Sequence, residues 1–318
     1  TEIIAQDEHT EFVPSHTRLK VLFSPRNAAQ FPSLNVVRLS ELELAQGVDN
    51  FGAEIVPTIL FEDDYQFELG GVTFEVMHTP GETYDHLSVW IPDYKTAFVG
   101  DNFYTSFPNM YTLRGTKPRW ALDYVDSINR ILALEPEIVV PSHGPAIIGA
   151  EKVVRQLTRY RDAILYVHDQ TLLGMNQGKD VHTLMQEIQL PSDLDIGESY
   201  GRISWSVRGI YEGYMGWFDG NPASMFSTPV DSAYPDLVAL AGGASAVAAL
   251  AKTQIDAGDF ELALHSADIA LSAEPDNRRA LEARLAAFEG LLEDSDNSNE
   301  IGWLRHGVRE TQAALDQL

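Results

Sequence analysis

The chain has 318 residues and no Cys, and its 47 Asp and Glu residues against 22 Lys and Arg give a formal net charge of −25 at pH 7. This acidity argues against DNA, RNA or an anionic membrane surface as the main partner, because such partners bind basic surfaces. The absence of Cys excludes disulfides, a thiolate nucleophile and Cys-ligated zinc. The length predicts two domains, or one large domain with an appendage.

The first 55 residues carry few regular patterns. The opening "TEIIAQDEHTEF" has no initiator Met and no leader-type apolar segment, so we expect an incomplete gene product that begins with a short strand, "EIIAQ". Residues 17–55 contain Pro and Asn without a sustained period, which indicates a loop-rich connection with room for one helix. The sequence has no apolar run of the length that a bilayer span needs, so we expect no membrane span.

From residue 56 onward, short β-type segments follow one another. "QFEL" and "VTFEV" alternate around "GG", which predicts a hairpin, and "HLSVWI" and "TAFVG" predict the next two strands. "RWALDYVDSINRILALEP" has apolar residues at helical spacing and stops at Pro136, and "EIVVPSHG" predicts a short buried strand. This order indicates an α/β layered sheet with polar residues at the strand ends.

After residue 150 the patterns become helical. A long amphipathic helix is predicted up to Gly178, then "DVHTLMQEI", then the aromatic-rich "RISWSVRGIYEGYMGWF", and further helices from residue 231. The stretch "AGDFELALHSADIALSAEPDN" is similar to one helical-hairpin repeat unit. Because stacked repeats need about three units, plain helical hairpins packed on a core or a partner are the alternative interpretation.

Three possible metal ligands follow predicted strands directly. Glu82 comes after "HTPG", Asp101 lies in "FVGDN" and His143 lies in "VPSHG". Each of them alone is typical of an ordinary turn or helix cap. Together they offer the nitrogen and oxygen donors that suit zinc and its neighbours among the transition metals.

The same stretches resemble a known family. "TFEVMHTPGET", "TAFVGDN" and "IVVPSHG" are similar to the second half of the metallo-β-lactamase fold, an αββα sandwich, in which His usually stands where this chain has Glu82. Glu at that position is typical of the metal-dependent alkyl sulfatases. "NMYTLRG" (109–115), the segments 160–178 and 211–225, and "NEIGWLRHGVRE" are similar to that branch. The resemblance covers roughly residues 50–318 and implies an incomplete sandwich followed by an all-α domain.

The resemblance also implies roles for individual residues. Glu82 and His143 match metal ligands, and Asp101 matches a bridging carboxylate that is Glu in many alkyl sulfatases. Arg114 matches a residue that contacts the sulfate group, and its guanidinium fork suits a tetrahedral oxyanion. The neighbouring substrate-binding candidates are Asn109 and Tyr111, with loop packing as their alternative role. We expect structural or supporting roles for His78 and His86.

One part of the family pattern is absent. The first ligand cluster, His-x-His-x-Asp-His, precedes this region in the family, and the first 77 residues contain no such spacing, because His9 and His16 stand alone. We therefore expect either that the sequence lacks part of the fold or that the chain is a degenerate homologue. As written, the polypeptide alone is not expected to hold two metal ions.

The implied function is hydrolysis of alkyl sulfate esters to alcohol and sulfate by metal-activated water, with two zinc ions per protomer in the complete protein. Residues 1–155 are then part of the catalytic domain. Residues 156–318 form an all-α domain, with a segment like the tetratricopeptide repeat, that makes a homodimer. The aromatic-rich helix "SWSVRGIYEGYMGWF" is a candidate to line a slot for the alkyl tail, with a helical core or a dimer interface as its alternative.

Two alternative functions stay open. One is another hydrolase of the same fold that acts on a lactone, thioester or phosphoester, against which Glu82 and "YTLRG" count. The other is a metal-free dimerising module, supported by the missing ligand cluster.

Overall fold

The computed structural model describes residues 1–32 and 56–318. Their contacts divide them into two compact units, one of residues 1–26 and 56–216 and the other of residues 27–32 and 217–318. The described strands all belong to the first unit, and the second contains helices. The predicted order of a sheet-and-helix domain followed by a helical domain is therefore confirmed. The predicted boundary at residues 155 and 156 stays a prediction.

The strands of the first unit form two sheets within the described residues. They are β1 (Ile4–Gln6), β2 (Ile59–Phe61), β3 (Asp64–Leu69), β4 (Val72–His78), β5 (Leu87–Ile91), β6 (Thr96–Gly100), β7 (Ile138–Pro141) and β8 (Ile147–Ile148). β1 and β2 pair in parallel, and the other six strands form one sheet in the order of the chain. Within that sheet β6 and β7 are parallel, and the remaining neighbours are antiparallel.

The hairpin of β3 and β4 confirms the prediction from "GG". Gly70 and Gly71 both have positive φ, 63° and 80°, and they close the turn between the paired residues Leu69 and Val72. Two central residues with positive φ are what the favoured two-residue hairpin turn requires, and Gly adopts them without steric cost.

Six helices accompany these strands in the described chain. They are α1 (His9–Arg18), α2 (Lys20–Gln30), α3 (Ala121–Leu132), α4 (Ala150–Asn176), α5 (Val181–Glu187) and α6 (Ile203–Met215). The last four were expected from their apolar spacing. The sequence predicts no helix at α1, and α2 continues through an internal Pro25. Residues 33–55 of the predicted loop-rich connection lie outside the described residues.

The core of the first unit lies between the sheet and the helices α3 and α4. Tyr124, Ile128 and Ile131 of α3, and Leu157, Tyr160 and Ile164 of α4, are essentially inaccessible to solvent. They pack with the buried strand residues Val99 and Val139 in one hydrophobic cluster. The parallel step from β6 to β7 passes through α3, so this core fixes where both strands end.

The second unit is built from helices with small residues at their contacts. They are α7 (Tyr234–Leu240), α8 (Ala244–Asp256), α9 (Phe260–Ala273), α10 (Arg278–Asp294) and α11 (Ser298–Asp316). Buried alanines of α8, α9 and α10 form its two hydrophobic clusters, together with Val238. Gly242 and Gly243 have positive φ of 94° and 99°, and they separate α7 from α8.

No single helix in the described part of the chain is long and apolar enough to cross a membrane. Val230–Leu240 and Ala244–Asp256 meet that criterion of length and composition only as a pair, and the chain bends by 99° between them.

Candidate active site

Two of the predicted metal ligands meet at one edge of the sheet. Asp101 follows β6 and His143 follows β7, and because these strands are parallel neighbours, their carboxyl ends lie side by side. The Nδ1 atom of His143 lies 2.6 Å from Oδ1 of Asp101. The His143 side chain is 75% exposed and that of Asp101 is 25% exposed, so the pair is open to solvent.

The third predicted ligand, Glu82, lies in the turn after β4 and is largely buried. Its Oε2 accepts a hydrogen bond from Nη1 of Arg119 at 2.6 Å and another from the Tyr124 hydroxyl at 3.3 Å. Its backbone N–H donates to Oδ1 of Asn102 at 3.2 Å. Both side-chain bonds reach the same oxygen, and Oε1 of Glu82 has no hydrogen-bond partner among the described residues.

Burial and neighbouring charges shift the pKa of Glu82 in opposite directions. Burial raises the pKa of Glu82, the Arg119 guanidinium opposes that rise, and the nearby Asp101 carboxylate adds to it. The Arg114 guanidinium also lowers this pKa, so Arg114 and Asp101 both act on Glu82 through their charges. Burial raises the pKa of Tyr124 well above its ordinary value, so this phenol is a neutral donor.

The two histidines that flank the turn between β4 and β5 are bonded to the main chain. His78 Nε2 lies 2.6 Å from the carbonyl oxygen of Tyr84, and His86 Nδ1 lies 2.9 Å from that of Thr79. Burial lowers the pKa of His86 to about 4, so the ring is neutral at pH 7. Its Nε2 lies against Gly100, where an added Cβ would collide with the imidazole.

Asn109 is a buried residue held through its main chain. Only 2% of its surface is exposed, its N–H donates to the Tyr104 hydroxyl at 2.7 Å, and its carbonyl accepts from Arg119 Nη1 at 2.7 Å. Its side-chain Oδ1 and Nδ2 are both buried, and neither has a hydrogen-bond partner in the described structure. Buried amides are normally bonded, so this orphaned amide indicates a place for a ligand or water.

The other two predicted substrate residues occupy the following turn. Arg114 donates to the Thr112 hydroxyl at 3.2 Å, and its carbonyl accepts from Arg26 Nε at 2.7 Å. The Tyr111 hydroxyl lies 3.4 Å from Oε2 of Glu212, on helix α6. Tyr111 therefore faces α6, whereas Arg26 holds the "YTLRG" turn through its backbone.

Sequence reasoning missed three residues of this site. Arg119 and Tyr124 bond the carboxylate of Glu82, and nothing in the local pattern "TKPRWALDY" marks them for that role. Tyr200 lies in a segment predicted only as a break between helices. Burial raises its pKa, and the charges that act on its hydroxyl include those of Arg114, Glu82, Arg119 and Asp101.

An apolar groove of about 300 Å³ lies beside the start of α3. It is lined mainly by Trp120, Ile210, Tyr214 and His168, and the His168 Nε2 lies 3.0 Å from the Tyr214 hydroxyl. Ile210 and Tyr214 belong to the aromatic helix α6, and Ile210 is itself buried in the core beside Ile203 and Val207 on the same face of the helix. This helix thus serves both a core and a groove.

The donors present are of the type that zinc accepts, but they do not form a closed site. Glu82 has a free Oε1, and Asp101 lies against His143, so two carboxylates and one imidazole are available. Within residues 1–32 and 56–318, however, no three His, Asp or Glu side chains are grouped so as to hold one ion. The donors therefore fit a metal site in chemistry and fall short of one in number.

Comparison with known proteins gives two family matches in tandem. Residues 8–143 match the metallo-β-lactamase superfamily, and residues 180–313 match the alkyl sulfatase dimerisation family. A linear primary-alkylsulfatase of a Pseudomonas species is 32% identical over 268 residues, which are 82% of this chain and 51% of the relative. This chain belongs to the alkyl sulfatase family of the metallo-β-lactamase superfamily.

Other members of the family support the same assignment. The (R)-specific secondary-alkylsulfatase of a Pseudomonas species is 29% identical, over 80% of this chain and 41% of that protein. The solved structure of the stereoselective inverting sec-alkylsulfatase Pisa1 from Pseudomonas superposes with a TM-score of 0.85 at 24% identity. It covers 99% of this chain and 51% of the alkylsulfatase, which shows the shared fold. The chain thus spans about half the length of the relatives that it matches.

Proposed function

We propose that this alkyl sulfatase family member hydrolyses alkyl sulfate esters to an alcohol and inorganic sulfate at a binuclear zinc site. The observation that carries the proposal is the meeting of Asp101 and His143, 42 residues apart in the chain, at 2.6 Å on the edge of the sheet. The Asp101 carboxylate raises the pKa of Glu82, so the charges of these two carboxylates act on each other. A sulfuric ester hydrolase also agrees with the names of the alkylsulfatase relatives.

Glu82, Asp101 and His143 are proposed as part of the donor set. The free Oε1 of Glu82 supports this role, because metal-bound carboxylates are commonly oriented by hydrogen bonds to their other oxygen. A bound divalent ion would polarise the ester and lower the pKa of water.

Recognition of the sulfate group is proposed for Arg114 and Asn109. A guanidinium neutralises the negative ester within an acidic protein and matches the geometry of an oxyanion. The buried amide of Asn109 has two unused hydrogen-bonding atoms, and its Nδ2 can donate to a sulfate oxygen. The Tyr111 hydroxyl bonds Glu212, and this bond links the loop that carries Asn109 and Arg114 to helix α6.

The alkyl part of the substrate is proposed to lie in the groove of Trp120, Ile210 and Tyr214. Its walls are mainly apolar side chains, and its volume of about 300 Å³ is at the lower end of small-molecule sites. Trp120 also borders the smaller cavity that Glu82 and Arg119 line, so the groove begins beside the polar site.

A homodimer through the helical part of the chain is the proposed assembly. Residues 180–313 match the dimerisation family, and the second unit exposes large apolar side chains at Trp217, Phe226, Val230 and Leu240. Contiguous exposed apolar surface marks interaction sites, and these side chains are proposed to contribute to one.

The proposal is tested by measuring sulfate release from a medium-chain primary alkyl sulfate by the purified full-length protein. We expect release of sulfate and alcohol in equal amounts, loss of activity with a chelator, and recovery on addition of zinc. Arg114→Met should raise KM strongly, and Arg114→Lys should recover only part of the loss, because Lys lacks the fork. Hydrolysis of a lactone, thioester or phosphoester panel, with no sulfate release, would overturn the proposal.

A further inference from the structure

Arg119 joins two parts of the site that the sequence keeps apart. It lies in the connection between β6 and α3, and only 4% of its side chain is exposed. Its Nη1 donates to Glu82 Oε2 at 2.6 Å and to the Asn109 carbonyl at 2.7 Å. One guanidinium nitrogen therefore contacts both a proposed metal donor and the backbone of a proposed sulfate-binding residue.

We propose that Arg119 is a positioning residue that sets Glu82 and the Asn109 amide at a fixed separation. The inference rests on the proposed function, because it assigns the support of the metal and sulfate subsites of that reaction. In this proposal Arg119 acts through Glu82 and Asn109.

The bonds of Arg119 to Glu82 have a definite orientation. Arg119 and Tyr124 both bond Oε2, at 2.6 Å and 3.3 Å, and so neither of them occupies Oε1. A charge-assisted hydrogen bond of this kind is short and restricts the carboxylate more than a neutral one. Partners that orient a metal ligand in this way typically change metal affinity by about 10- to 100-fold when they are removed.

The bond of Arg119 to the Asn109 carbonyl restrains the backbone of the proposed sulfate-binding loop. Because the carbonyl of Asn109 is held by Arg119 and its N–H by the Tyr104 hydroxyl, the orphaned side-chain amide is presented without any bond of its own. Both bonds come from Nη1, and a Lys at position 119 would keep a positive charge, but its side chain is one atom shorter and its ammonium would not reach the place of Nη1. Charge alone is therefore not expected to reproduce the function of Arg119.

Arg130 provides a matched control within the same unit. Its Nη1 donates to the Asp63 carboxylate at 2.6 Å and to the His78 carbonyl at 3.0 Å, which repeats the carboxylate-and-carbonyl pairing of Arg119. None of these partners is a proposed substrate residue or metal donor. Arg130→Met therefore removes a carboxylate-and-carbonyl pair of bonds, together with a contact to Asp64, away from the proposed chemistry.

The test uses full-length protein in the wild-type form and as Arg119→Met, Arg119→Lys and Arg130→Met. Zinc affinity is measured by competition with a chromophoric chelator, kcat and KM with an alkyl sulfate, and folding by circular dichroism. We expect Arg119→Met to weaken zinc binding by roughly 10- to 100-fold and to raise KM. Arg119→Lys should also lose at least about 10-fold in zinc affinity. Arg130→Met should bind zinc as the wild type does.

The outcomes separate the two proposals. Zinc affinity and KM unchanged in Arg119→Lys or in folded Arg119→Met would overturn the positioning role while leaving the proposed function intact. An equal loss in Arg130→Met would also overturn it, because the effect would then be one of general stability. Wild-type protein that binds no zinc and releases no sulfate would refute the proposed function and the inference with it. If Arg119→Met fails to fold, the comparison of Arg119→Lys with wild type decides.

Discussion

Replacement of Gly201 by Ala should displace the loop that carries Asn109. Gly201 is buried, and an added Cβ would overlap the carbonyl oxygen of Pro108 and lie 2.5 Å from that of Phe107. Both obstacles are backbone atoms, so they cannot rotate aside as a side chain would. The two chain segments would have to separate by several tenths of an ångström.

The cost of that separation follows from the bonds between the segments. The Phe107 N–H donates to the Gly197 carbonyl at 2.7 Å, and the Gly201 N–H donates to the Phe107 carbonyl at 3.1 Å. The Tyr200 N–H donates to the Ser106 hydroxyl at 3.1 Å. Overpacking costs about 1–3 kcal/mol, and each weakened hydrogen bond adds about 1 kcal/mol. With all three bonds weakened, we therefore expect the free energy of unfolding to fall by about 4–6 kcal/mol.

The assay is urea unfolding followed by tryptophan fluorescence, with Gly174→Ala as the control. At Gly174, on helix α4, an added Cβ meets the end of the Leu184 side chain, which can change rotamer. Ala is also favoured over Gly in a helix by about 1 kcal/mol, which offsets part of the crowding. A free energy of unfolding for Gly201→Ala equal to that of wild type, or a loss no larger than that of Gly174→Ala, would refute the reasoning.

Three further predictions concern pH, the surface and the core. The folded pKa of His86 is about 4 against an ordinary 6.5, so the unfolded chain binds the extra proton between these values. The free energy of unfolding should therefore fall by up to about 3 kcal/mol from pH 7 to pH 4. The variant His86→Asn can still donate a hydrogen bond to the Thr79 carbonyl, and its free energy of unfolding should depend less on pH between 7 and 4. Lys95→Met should leave the urea midpoint unchanged within error, because Lys95 and Glu137 are both more than half exposed. Ile128→Ala should lower the free energy of unfolding by about 2–5 kcal/mol in the same urea titration, because Ile128 is fully buried.

The strands and their ends were predictable because their signals are local. Alternation of apolar residues, "GG" and "PG" mark the strands from β3 to β6, and the apolar period of α3 marks the crossover to β7. Once β6 and β7 are parallel neighbours, Asp101 and His143 must end at the same edge, and the structure places them 2.6 Å apart. Local pattern and topology together were sufficient for that pair.

The sequence left room for one helix in residues 17–55, but the bounds of α2 could not be predicted because a local signal was misleading. Pro25 argues against a helix interior, since it lacks an N–H and its ring clashes with the preceding turn. The structure nevertheless continues the helix from Lys20 to Gln30. Buried contacts at its end, such as Gln30 with Asn299 at 2.8 Å, span 269 residues of sequence and leave no trace in a local window.

The partners of Glu82 could not be predicted either, because they lie far from it in the sequence. Arg119 and Tyr124 lie 37 and 42 residues after Glu82, and neither stands at a strand end or in a recognisable turn. Their role follows from the packing of α3 on the sheet. Sequence reasoning therefore found the candidate donors, whereas their supports required the tertiary structure.

The central claim, that Glu82, Asp101 and His143 are metal donors of an alkyl sulfatase, is tested most directly by metal analysis of the full-length protein. Wild type and His143→Ala should be purified in parallel, and the zinc content and the sulfate release of each should be measured on the same sample. If these three residues are metal donors, we expect about two zinc ions per protomer in the active wild type and a clear loss of zinc in His143→Ala. A full zinc complement in His143→Ala, or an active wild type without metal, would contradict it.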